Sequence, residues 1–548
     1  MTEEKKMPAD LFWADQIAKV IIEREKFHYI DKAIPEFRKY TIKTSASISG
    51  VLHIGRLSDT VRGESVARAL SENHNAELIW VAEDMDPLRK LPKGVPNSYE
   101  EYIGMPVTDI PDYHGCHKSY AEHNKEEYFK VLDEFVMLKM KKFSMREEYR
   151  KGSFKDYIKL LLTNIEKVIE IQNKYRQNPL ESGWSPWTPI CENCGKIITP
   201  HVLGFDGKKV NYVCKDYSFE TMTAKGCGYE GYDDPLKGNG KLMWKSEWAS
   251  QWAYWKVVSE GAGKEYQVPM SAWWVNGEIC ERILDFPMPV PIFYEHILID
   301  GEKMSASKGN VIYPKAWLEV ADPELLRFFY NKRLMKTRSF SWRELPDMYD
   351  DYDRHMMIYF GKTKIGNEKE SNHMKRLFEI SQLKKPAFAN HVPYSFAALI
   401  AQICKPEEGI ERAIKLLKFT GHVKTLTENE KDCLQKRLLL AKNWSEKYAP
   451  AELRIKLNEH APEKITEELN ADEKNAIRLL IKGLKGDLKD EDIQTSIFDI
   501  ARENSVEPKR FFYILYQIIL SRDSGPRLGP FIIVIGKENI IGLLEEIV

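Results

Sequence analysis

The sequence predicts an α/β fold with a parallel sheet, followed by a helical C-terminal region. Strand-like and helix-like segments alternate near the N-terminus, and a further strand-like segment follows at Ile292–Ile299. Apolar residues at helical spacing dominate after Trp342. Such alternation is typical of parallel sheets, whose ligands lie at the carboxyl ends of the strands. The predicted segments are a short strand at 40–42, a small-residue loop at Lys43–Gly50, a helix at about Leu52–Leu70, a strand at Leu78–Ala82 and a strand-like segment at Ile292–Ile299.

Insertions separate the two parts of the predicted sheet. Pro, Gly and Asn are frequent between Pro87 and Asp112, amphipathic helical patterns run from Tyr120 to Arg176, and cysteines concentrate at about Trp184–Asp234. Apolar residues recur at helical spacing from Ile477 to Leu488. We therefore expect a first sheet half at 1–95, a helical insertion at 96–183, a metal-binding segment at 184–240, a second sheet half at 241–342 and a helical domain at 343–548.

Length and composition limit the class of protein. A chain of 548 residues exceeds a single core, so several domains are expected. Lys and Arg (81) balance Asp and Glu (82), and net charge therefore neither indicates nor excludes a nucleic acid. Because no apolar run is long enough to cross a bilayer and the first residues do not resemble a secretory signal, we expect a cytoplasmic protein without a membrane partner.

The segment Ser47–Arg56, SISGVLHIGR, joins the first predicted strand to the following helix. A helix N-terminus presents free N–H groups and the positive end of the helix dipole, which suit a nucleotide phosphate. His53 is placed to donate to that phosphate, and Gly55 leaves room for the base. A histidine beside a glycine at a helix start also serves capping or packing, and this string alone does not separate these roles.

A second segment, KMSASKGN at Lys303–Asn310, follows the later strand and carries two lysines and two serines. Lysines and hydroxyls on a mobile loop can close over a triphosphate and stabilise the charge that develops as pyrophosphate leaves. A solvated turn can have the same composition, so the second string alone is also ambiguous.

Together, in this order and about 250 residues apart, the two segments resemble the HIGH and KMSKS signatures of class I aminoacyl-tRNA synthetases. Two positions depart from the signatures, because Arg56 replaces the last His and Ala306 replaces the second Lys. Arg56 still suits a phosphate, and Lys308 is the candidate to replace the missing lysine.

The resemblance narrows to class I lysine–tRNA ligases and covers nearly the whole chain. Blocks that resemble those of the family, in the same order, are FWADQIA, DPLRKLP, GCHKSYAEH, KLMWKSEWASQW, GAGKEY, KMSASKGNVI, NWSEKYAP and GPRL. The resemblance implies a Rossmann-like catalytic domain in the two sheet halves and an anticodon-binding domain in the helical region. It also implies that ATP with Mg²⁺ activates L-lysine, and that the lysyl group passes to the 2′-OH of the terminal adenosine of tRNA(Lys).

The resemblance further implies the site residues. Three residues would stabilise phosphate charge as catalytic residues: His53, Lys303 and Lys308. The ATP-binding residues would be Ser49, Gly50, His53, Gly55, Gly263, Met304, Ser305 and Ser307. The substrate-binding residues would be Ser45, Ser47, Asp86, Glu247, Trp248 and Tyr266.

Several substrate positions depart from the family pattern. Ser47 stands in place of a Thr, Glu247 in place of an Asp and Tyr266 in place of a His. The hydroxyl and the carboxylate are kept, whereas the titratable ring is lost. No substitution introduces an arginine or lysine that would hold an acidic side chain, which favours lysine over glutamate as the substrate.

Two features of this pocket have an ordinary structural explanation as well. Trp248 belongs to a tryptophan series at helical spacing, which core packing would equally produce. Glu83 and Asp86, at the end of the second strand, would equally form salt bridges with Arg89 or Lys90.

Cysteines and histidines indicate metal sites. Eight cysteines in a chain of this length do not make a disulfide framework. Four of them suit a tetrahedral structural zinc, with buried free thiols as the alternative and the long gap before the last one as an irregularity. They are Cys191, Cys194, Cys214 and Cys227. A second zinc, or ordinary hydrogen bonding, is indicated by His114, Cys116, His117 and His123.

Three rival functions remain open at this stage. The same chemistry with another amino acid, such as glutamate, would use the same signatures. A noncatalytic tRNA-binding paralogue would explain the altered signature positions. A small-molecule nucleotidyltransferase would not need the large helical C-terminal region.

Overall fold

The computed structural model describes residues 11–48, 50–92, 94–304, 310–389, 392–404, 406–419, 421–486, 488–489, 492–525 and 527–548. Two compact units contain them. Unit 1 comprises the chain up to Leu318, Asp322–Ser341 and Arg354–Pro386, and unit 2 comprises Glu319–Ala321, Trp342–Asp353 and Ala387–Val548.

Fifteen strands are described. They are β1 Tyr40–Ser47, β2 Ala76–Glu83, β3 Lys141–Ser144, β4 Trp187–Pro189, β5 Pro200–Phe205, β6 Val210–Cys214, β7 Tyr217–Ser218, β8 Thr223–Ala224, β9 Glu230–Asp233, β10 Gly240–Leu242, β11 Val257–Gly263, β12 Val290–Tyr294, β13 Ile297–Ile299, β14 Glu302–Lys303 and β15 Arg338–Phe340.

Twenty-one α-helices are described. They are α1 Trp13–Glu23, α2 Ile54–Ser71, α3 Tyr120–Leu132, α4 Met145–Lys151, α5 Lys155–Thr163, α6 Ile165–Lys174, α7 Trp244–Trp255, α8 Ala272–Arg282, α9 Pro314–Leu318, α10 Pro323–Asn331, α11 Leu345–Tyr359, α12 Glu368–Ser381, α13 Tyr394–Cys404, α14 Glu411–Phe419, α15 Glu428–Lys447, α16 Glu463–Glu468, α17 Ala471–Lys485, α18 Ile493–Glu503, α19 Pro508–Leu520, α20 Leu528–Ile535 and α21 Lys537–Glu545.

A five-stranded parallel sheet forms the centre of unit 1, in the order β12-β11-β1-β2-β3. The predicted α/β class with a parallel sheet is therefore confirmed. The edge strand β3 lies inside the segment that the sequence predicts as a helical insertion, and it pairs with β2 from Ile79↔Lys141 to Ala82↔Ser144. The helical prediction is wrong for these four residues, because a Lys-Lys-Phe-Ser strand is too short to show a period of two.

Two boundaries predicted near the sheet are also wrong. The predicted loop from Lys43 onward is strand up to Ser47, since β1 pairs with β2 along its whole length. The predicted strand-like segment at Ile292–Ile299 forms two strands in different sheets. β12 belongs to the central sheet, and β13 lies between β14 and β15 in a three-stranded sheet. The predicted helices beside β1 and in the tryptophan-rich block are present as α2 and α7.

Helix α2 is an almost completely buried helix behind the sheet. Along most of its length its residues are buried, including charged ones. Glu64 and Arg327 of α10 form an ion pair in which both side chains are fully buried. Arg327 also donates to the carbonyl groups of Phe135, Ile380 and Ser381. These hydrogen bonds offset the cost of removing the two charged groups from water.

The described elements of unit 2 from Ala387 onward are helical. Helix α15 begins with a capping box, in which Thr427 and Glu430 satisfy each other's backbone N–H groups. The C-terminal helical prediction is therefore confirmed. Among the residues described, none of the helices has the length and apolar character needed to span a bilayer.

Candidate active site

Strands β1, β2, β11 and β12 end at one edge of the central sheet. β1 ends with the half-buried Ser45 and Ser47, and Ser47 lies opposite Glu83 at the end of β2. β11 ends at Gly263, which lies opposite Tyr294. The sheet therefore places residues predicted to bind nucleotide and substrate along the edge where parallel sheets hold ligands.

His53 caps the N-terminus of α2. Its Nδ1 accepts a hydrogen bond from the backbone N–H of Gly55 at 3.1 Å. Burial, together with the positive charge of Arg56, lowers the pKa of His53 to about 4, so the ring is neutral at pH 7. In a neutral imidazole whose Nδ1 accepts, the proton lies on Nε2. His53 thus caps the helix with one nitrogen and retains an N–H donor on the other.

The two signature segments meet at Gly55. A Cβ on this residue would lie 2.7 Å from Met304 Cε and 2.8 Å from His53 Cε1, so a side chain there would displace one of these two residues. Lys303 is exposed at the end of β14, and its carbonyl accepts a hydrogen bond from Asn310 Nδ2 at 3.1 Å. Four other predicted residues lie outside the described part of the chain: Ser49, Ser305, Ser307 and Lys308.

A lysine from β1 is fully buried beside this edge. Lys43 Nζ donates to Glu260 Oε1 of β11 at 2.6 Å. The other oxygen, Glu260 Oε2, accepts the indole N–H groups of Trp248 at 2.8 Å and Trp252 at 2.6 Å. Both carboxylate oxygens are therefore satisfied, as a buried ion pair requires.

A second lysine, Lys241, is half-buried and binds the two predicted substrate carboxylates. Its Nζ lies 3.1 Å from Asp86 Oδ1 and 3.0 Å from Glu247 Oε2. Tyr149 Oη donates to Glu247 Oε1 at 2.6 Å. Burial opposes ionisation of Asp86, but Lys241 and Ser47 lower its pKa below the ordinary value. Asp86 thus pairs with Lys241, and not through a salt bridge with Arg89 or Lys90, which was the alternative to a substrate role.

The third carboxylate of this edge, Glu83, is held by an amide. Gln251 Nε2 donates to both Glu83 oxygens at 3.1 and 3.2 Å. Burial raises the pKa of Glu83 to about 8, with Glu247 and Asp86 acting in the same direction and Lys43 against them. Gln251 is fully buried, and its Oε1 accepts no hydrogen bond from any residue that the structure describes.

These groups leave an excess of acid at the sheet edge. We name them the edge cluster, and its charged members are Glu83, Asp86, Glu247, Glu260, Lys43 and Lys241. Four carboxyl groups face two ammonium groups, and a buried negative excess is costly unless protons or a bound cation compensate it. Burial is the main cause of the raised pKa of Glu83, and the neighbouring carboxylates Glu247 and Asp86 add to it.

Trp248 is both a core residue and a neighbour of the predicted pocket. It is only 3% exposed and packs between Trp244, stacked at 4.6 Å, and Trp273, at 5.2 Å. Tyr266 meets it edge-on at 5.3 Å and is half-buried. The tryptophan series is thus largely core, and Tyr266 is the more open of this pair.

The four predicted cysteine ligands converge in a lobe formed by β5, β6 and β9, which we call the cysteine lobe. Their sulfurs all lie within 4.8 Å of one another. Cys191 and Cys227 are 3.6 Å apart, as are Cys194 and Cys214. A tetrahedral zinc with Zn–S bonds of about 2.3 Å needs sulfurs about 3.8 Å apart, so these residues fit a zinc ion. The β7–β8 hairpin fills the long gap before Cys227.

The cysteine lobe is tied to the loop that follows β2. The carbonyl of Gly104 accepts the backbone N–H of Ile197 at 2.9 Å. Gly104 has φ +93°, and a Cβ there would lie 2.7 Å from Cβ of Ala224 and 3.0 Å from Ile198 Cγ2. Only glycine therefore fits this contact.

The second donor cluster differs from its prediction by one residue. Asp112, Cys116, His117 and His123 place one donor atom each within 4.8 Å of the others. His114 does not belong to this set; its ring stacks on His123 at 4.5 Å. Asp112 also accepts the backbone N–H groups of His117 and Cys116 at 2.9 and 3.0 Å. A carboxylate, a thiolate and two imidazoles suit zinc.

Sequence reasoning missed five residues of these sites. Lys43 and Glu260 lie within strands, where their polar character pointed away from a buried position. Lys241 and Gln251 lie in the block KLMWKSEWASQW, where the tryptophans drew attention instead. Asp112 was missed because the prediction of metal ligands used only cysteines and histidines, although it lies two positions before His114.

The chain is similar to known proteins along nearly its whole length. Residues 11–384 match the family model described as tRNA synthetases class I (K). A lysine–tRNA ligase of Methanocaldococcus jannaschii is 33% identical, with 97% of this chain and 99% of that protein covered. Those of Methanosphaera stadtmanae and Pyrococcus furiosus are 29% and 32% identical; the alignments cover 96% and 97% of this chain, and 98% and 99% of those proteins.

Proposed function

This chain belongs to the class I (K) family of tRNA synthetases, and from that premise we propose that it is a lysine–tRNA ligase. The full-length similarity to lysine–tRNA ligases from three archaea carries the proposal. The geometry of the sheet edge supports it independently, through the charge of the edge cluster and the donor on His53.

The edge cluster supports a substrate with two positive charges. Free lysine carries an α-ammonium and an ε-ammonium group, and the cluster has two more carboxyl groups than lysines. Gln251 Oε1 is a buried acceptor without a described donor. Because ammonium groups donate three hydrogen bonds each, they satisfy this acceptor and compensate the acidic excess.

The same charges disfavour glutamate as the substrate. An acidic side chain needs an unpaired cation, but Lys43 is held by Glu260 and Lys241 by Asp86 and Glu247. Bringing a further carboxylate into the cluster would increase the buried negative excess.

In the proposed reaction, a carboxylate oxygen of lysine attacks the α-phosphorus of ATP, the bond to the β-phosphate oxygen breaks, and pyrophosphate leaves. No side-chain nucleophile is needed, so the protein contributes positioning and electrostatics. His53 donates its Nε2–H to phosphate oxygen, and Lys303 approaches the leaving pyrophosphate from β14. ATP is bound with Mg²⁺. The 2′-OH of the terminal adenosine of tRNA(Lys) then displaces AMP from the lysyl carbonyl.

Two structural zinc ions complete the proposal. The four cysteines of the cysteine lobe would hold one, and Asp112, Cys116, His117 and His123 the other. A structural zinc stabilises the fold of the segment that binds it. The helical region 343–548 would bind the anticodon, the two sheet halves at 1–95 and 241–342 would form the catalytic domain, and the protein would act in the cytoplasm.

One experiment separates these functions. Pyrophosphate exchange is measured with each of the twenty amino acids in the presence of tRNA(Lys), and lysine alone is expected to support it. If glutamate supports the exchange and lysine does not, the substrate is glutamate and the proposal is wrong. Tight tRNA binding without any exchange would instead favour the noncatalytic paralogue.

A further inference from the structure

We propose that three half-buried tyrosines, Tyr99, Tyr102 and Tyr113, form a track on which the unpaired 3′ nucleotides of the tRNA stack as they enter the active site. We call them the tyrosine track. The inference rests on the proposed function, because only a tRNA-charging enzyme must lead a single strand to the sheet edge.

The rings of the track form a continuous series. Tyr102 and Tyr99 lie 5.1 Å apart between centroids, and Tyr99 and Tyr113 lie 6.0 Å apart, both edge-on. All three side chains are partly exposed. Exposed aromatic rings in series are the means by which proteins bind single strands without reading sequence, since every base has a π face.

The inner end of the track lies near the turn at Gly50, which precedes His53. Tyr113 continues to Tyr120, at 6.3 Å and an interplanar angle of 35°. Tyr120 is 3% exposed, and its Oη would lie 3.8 Å from a Cβ placed on Gly50. Gly50 precedes His53 in the first signature segment. The aromatic series thus runs from the surface of unit 1 to the turn where the terminal ribose must meet the activated carboxyl group.

Positive charge lies beside the outer end of the track. Leu88 pairs with Gly104 and Met105 through two backbone hydrogen bonds of 2.8 and 2.9 Å. This pairing holds the exposed Arg89 and Lys90 next to the turn that carries Tyr102. Both side chains are exposed and therefore accessible to phosphates, although the charge of Arg89 also acts on Asp86.

The same turn is unfavourable for duplex RNA. Glu100 and Glu101 are exposed between Tyr99 and Tyr102 and repel phosphates, so an RNA bound here must turn its phosphates away from them, which a rigid duplex cannot do. A single strand rotates freely, so its bases face the rings while its phosphates face Arg89 and Lys90. The occupant that fits is therefore unpaired RNA.

The test is equilibrium binding of two transcripts to the full-length protein: tRNA(Lys), and the same tRNA without its four unpaired 3′ nucleotides. The wild type is expected to bind the complete tRNA at least tenfold more tightly. Tyr99→Ala should remove most of this difference, since one stacked base contributes roughly a tenfold change in affinity. Tyr99→Phe, which keeps the ring, should retain it. Tyr217→Ala, which removes an exposed tyrosine of the β7–β8 hairpin, is the matched control.

A second arm tests the charges. Loss of one phosphate contact to a single strand lowers the slope of log affinity against log salt by about 0.7, so Lys90→Ala should show this change with the complete tRNA only. Equal affinity of Tyr99→Ala and wild type for the complete tRNA would overturn the tyrosine track. If the wild type charges no tRNA with lysine, the proposed function fails instead, whatever the variants do.

Discussion

The Nδ1 atom of His53 accepts the backbone N–H of Gly55 at 3.1 Å, and this bond leaves Nε2–H as the free donor of the ring. Capping and phosphate binding, which are alternatives in the sequence, therefore involve different atoms of one side chain. A substitution can keep the cap and remove the donor. Asparagine is suited to this because it is among the best N-cap residues.

The first prediction is that His53→Asn folds normally but activates lysine about 100-fold more slowly, the effect of losing one well-placed donor to the transition state. His53→Ala should lose both the rate and about 1 kcal/mol of stability. Pyrophosphate exchange and thermal unfolding measure the two effects. Because the pKa of His53 is about 4, His53 itself should contribute no titration to the wild-type rate between pH 6 and 7. If His53→Asn exchanges pyrophosphate at the wild-type rate, His53 only caps the helix and does not act on the phosphate.

The second prediction concerns Lys303. Lys303→Ala should slow pyrophosphate exchange by about 100-fold, since one charge at the leaving group is lost, and should leave tRNA binding nearly unchanged. Lys237→Ala, which removes an exposed lysine that follows β9, is the control for net charge. An equal loss of rate in both variants would mean that general charge, and not the position of Lys303, is responsible.

The third prediction is a metal content of two zinc ions per chain, measured by elemental analysis of the purified protein. Cys194→Ser should lower the content by one, and Asp112→Asn should lower it by one at the other site. His114→Ala is the control, because His114 stacks on a ligand without joining the donor set. If Asp112→Asn keeps two ions while His114→Ala keeps one, the ligand set of the sequence prediction is right and ours is wrong.

The fourth prediction is that lysine binds more tightly as pH rises from 7 to 8. The folded-state pKa of Glu83 is raised from 4.5 to about 8 by burial, so Glu83 is mostly protonated at pH 7. A bound ammonium favours its ionised form, and the lysine KM should fall about fivefold over this unit of pH. Glu83→Gln should abolish the dependence.

The same shift has a consequence for folding. The folded protein keeps a proton that the unfolded chain loses between pH 4.5 and 8, so this contribution to stability is lost as pH rises through that window. Glu83→Gln should therefore flatten the decrease of the unfolding temperature over the same range. A pH-dependent lysine KM that persists in Glu83→Gln would assign the titration to another group.

The fifth prediction uses the two indoles that share Glu260 Oε2. Trp248→Phe keeps an aromatic wall but loses a hydrogen bond of 2.8 Å, and Trp252→Phe loses the equivalent bond of 2.6 Å. Both should destabilise the protein by about 1–3 kcal/mol, whereas only Trp248→Phe, next to Tyr266, should raise the lysine KM. Tyr266→His should be tolerated. Equal KM values for the two phenylalanine variants would make Trp248 a core residue only.

Much of the fold could be predicted because the spacing of apolar residues indicates its helices and strands. The strand at Leu78–Ala82, the helix behind the sheet and the helical C-terminal region follow from residues that pack in regular patterns. The strand from Lys43 to Ser47 could not, because its polar residues are buried by partners distant in sequence: Lys43 is satisfied by Glu260, 217 positions away. Local sequence carries no information about such a pair.

The candidate site shows the same division. The four cysteines were recognisable from their residue type alone, and the His53 turn from its small residues and its place before a helix. The edge cluster was only partly recognisable, since Lys241 acquires its role by meeting Asp86 and Glu247 in space. Electrostatic compensation is a property of the assembled sheet edge.

The contact between Gly104 and the cysteine lobe limits how this protein can be recombined with its relatives. The lobe could be exchanged as a cassette at 184–240, yet the carbonyl of Gly104 and the absence of a side chain there form part of its contact with the preceding loop. A chimera that transplants the cassette alone would join two surfaces that were not selected together. Crossover points should therefore be placed so that the lobe and the loop around Gly104 are inherited from one parent.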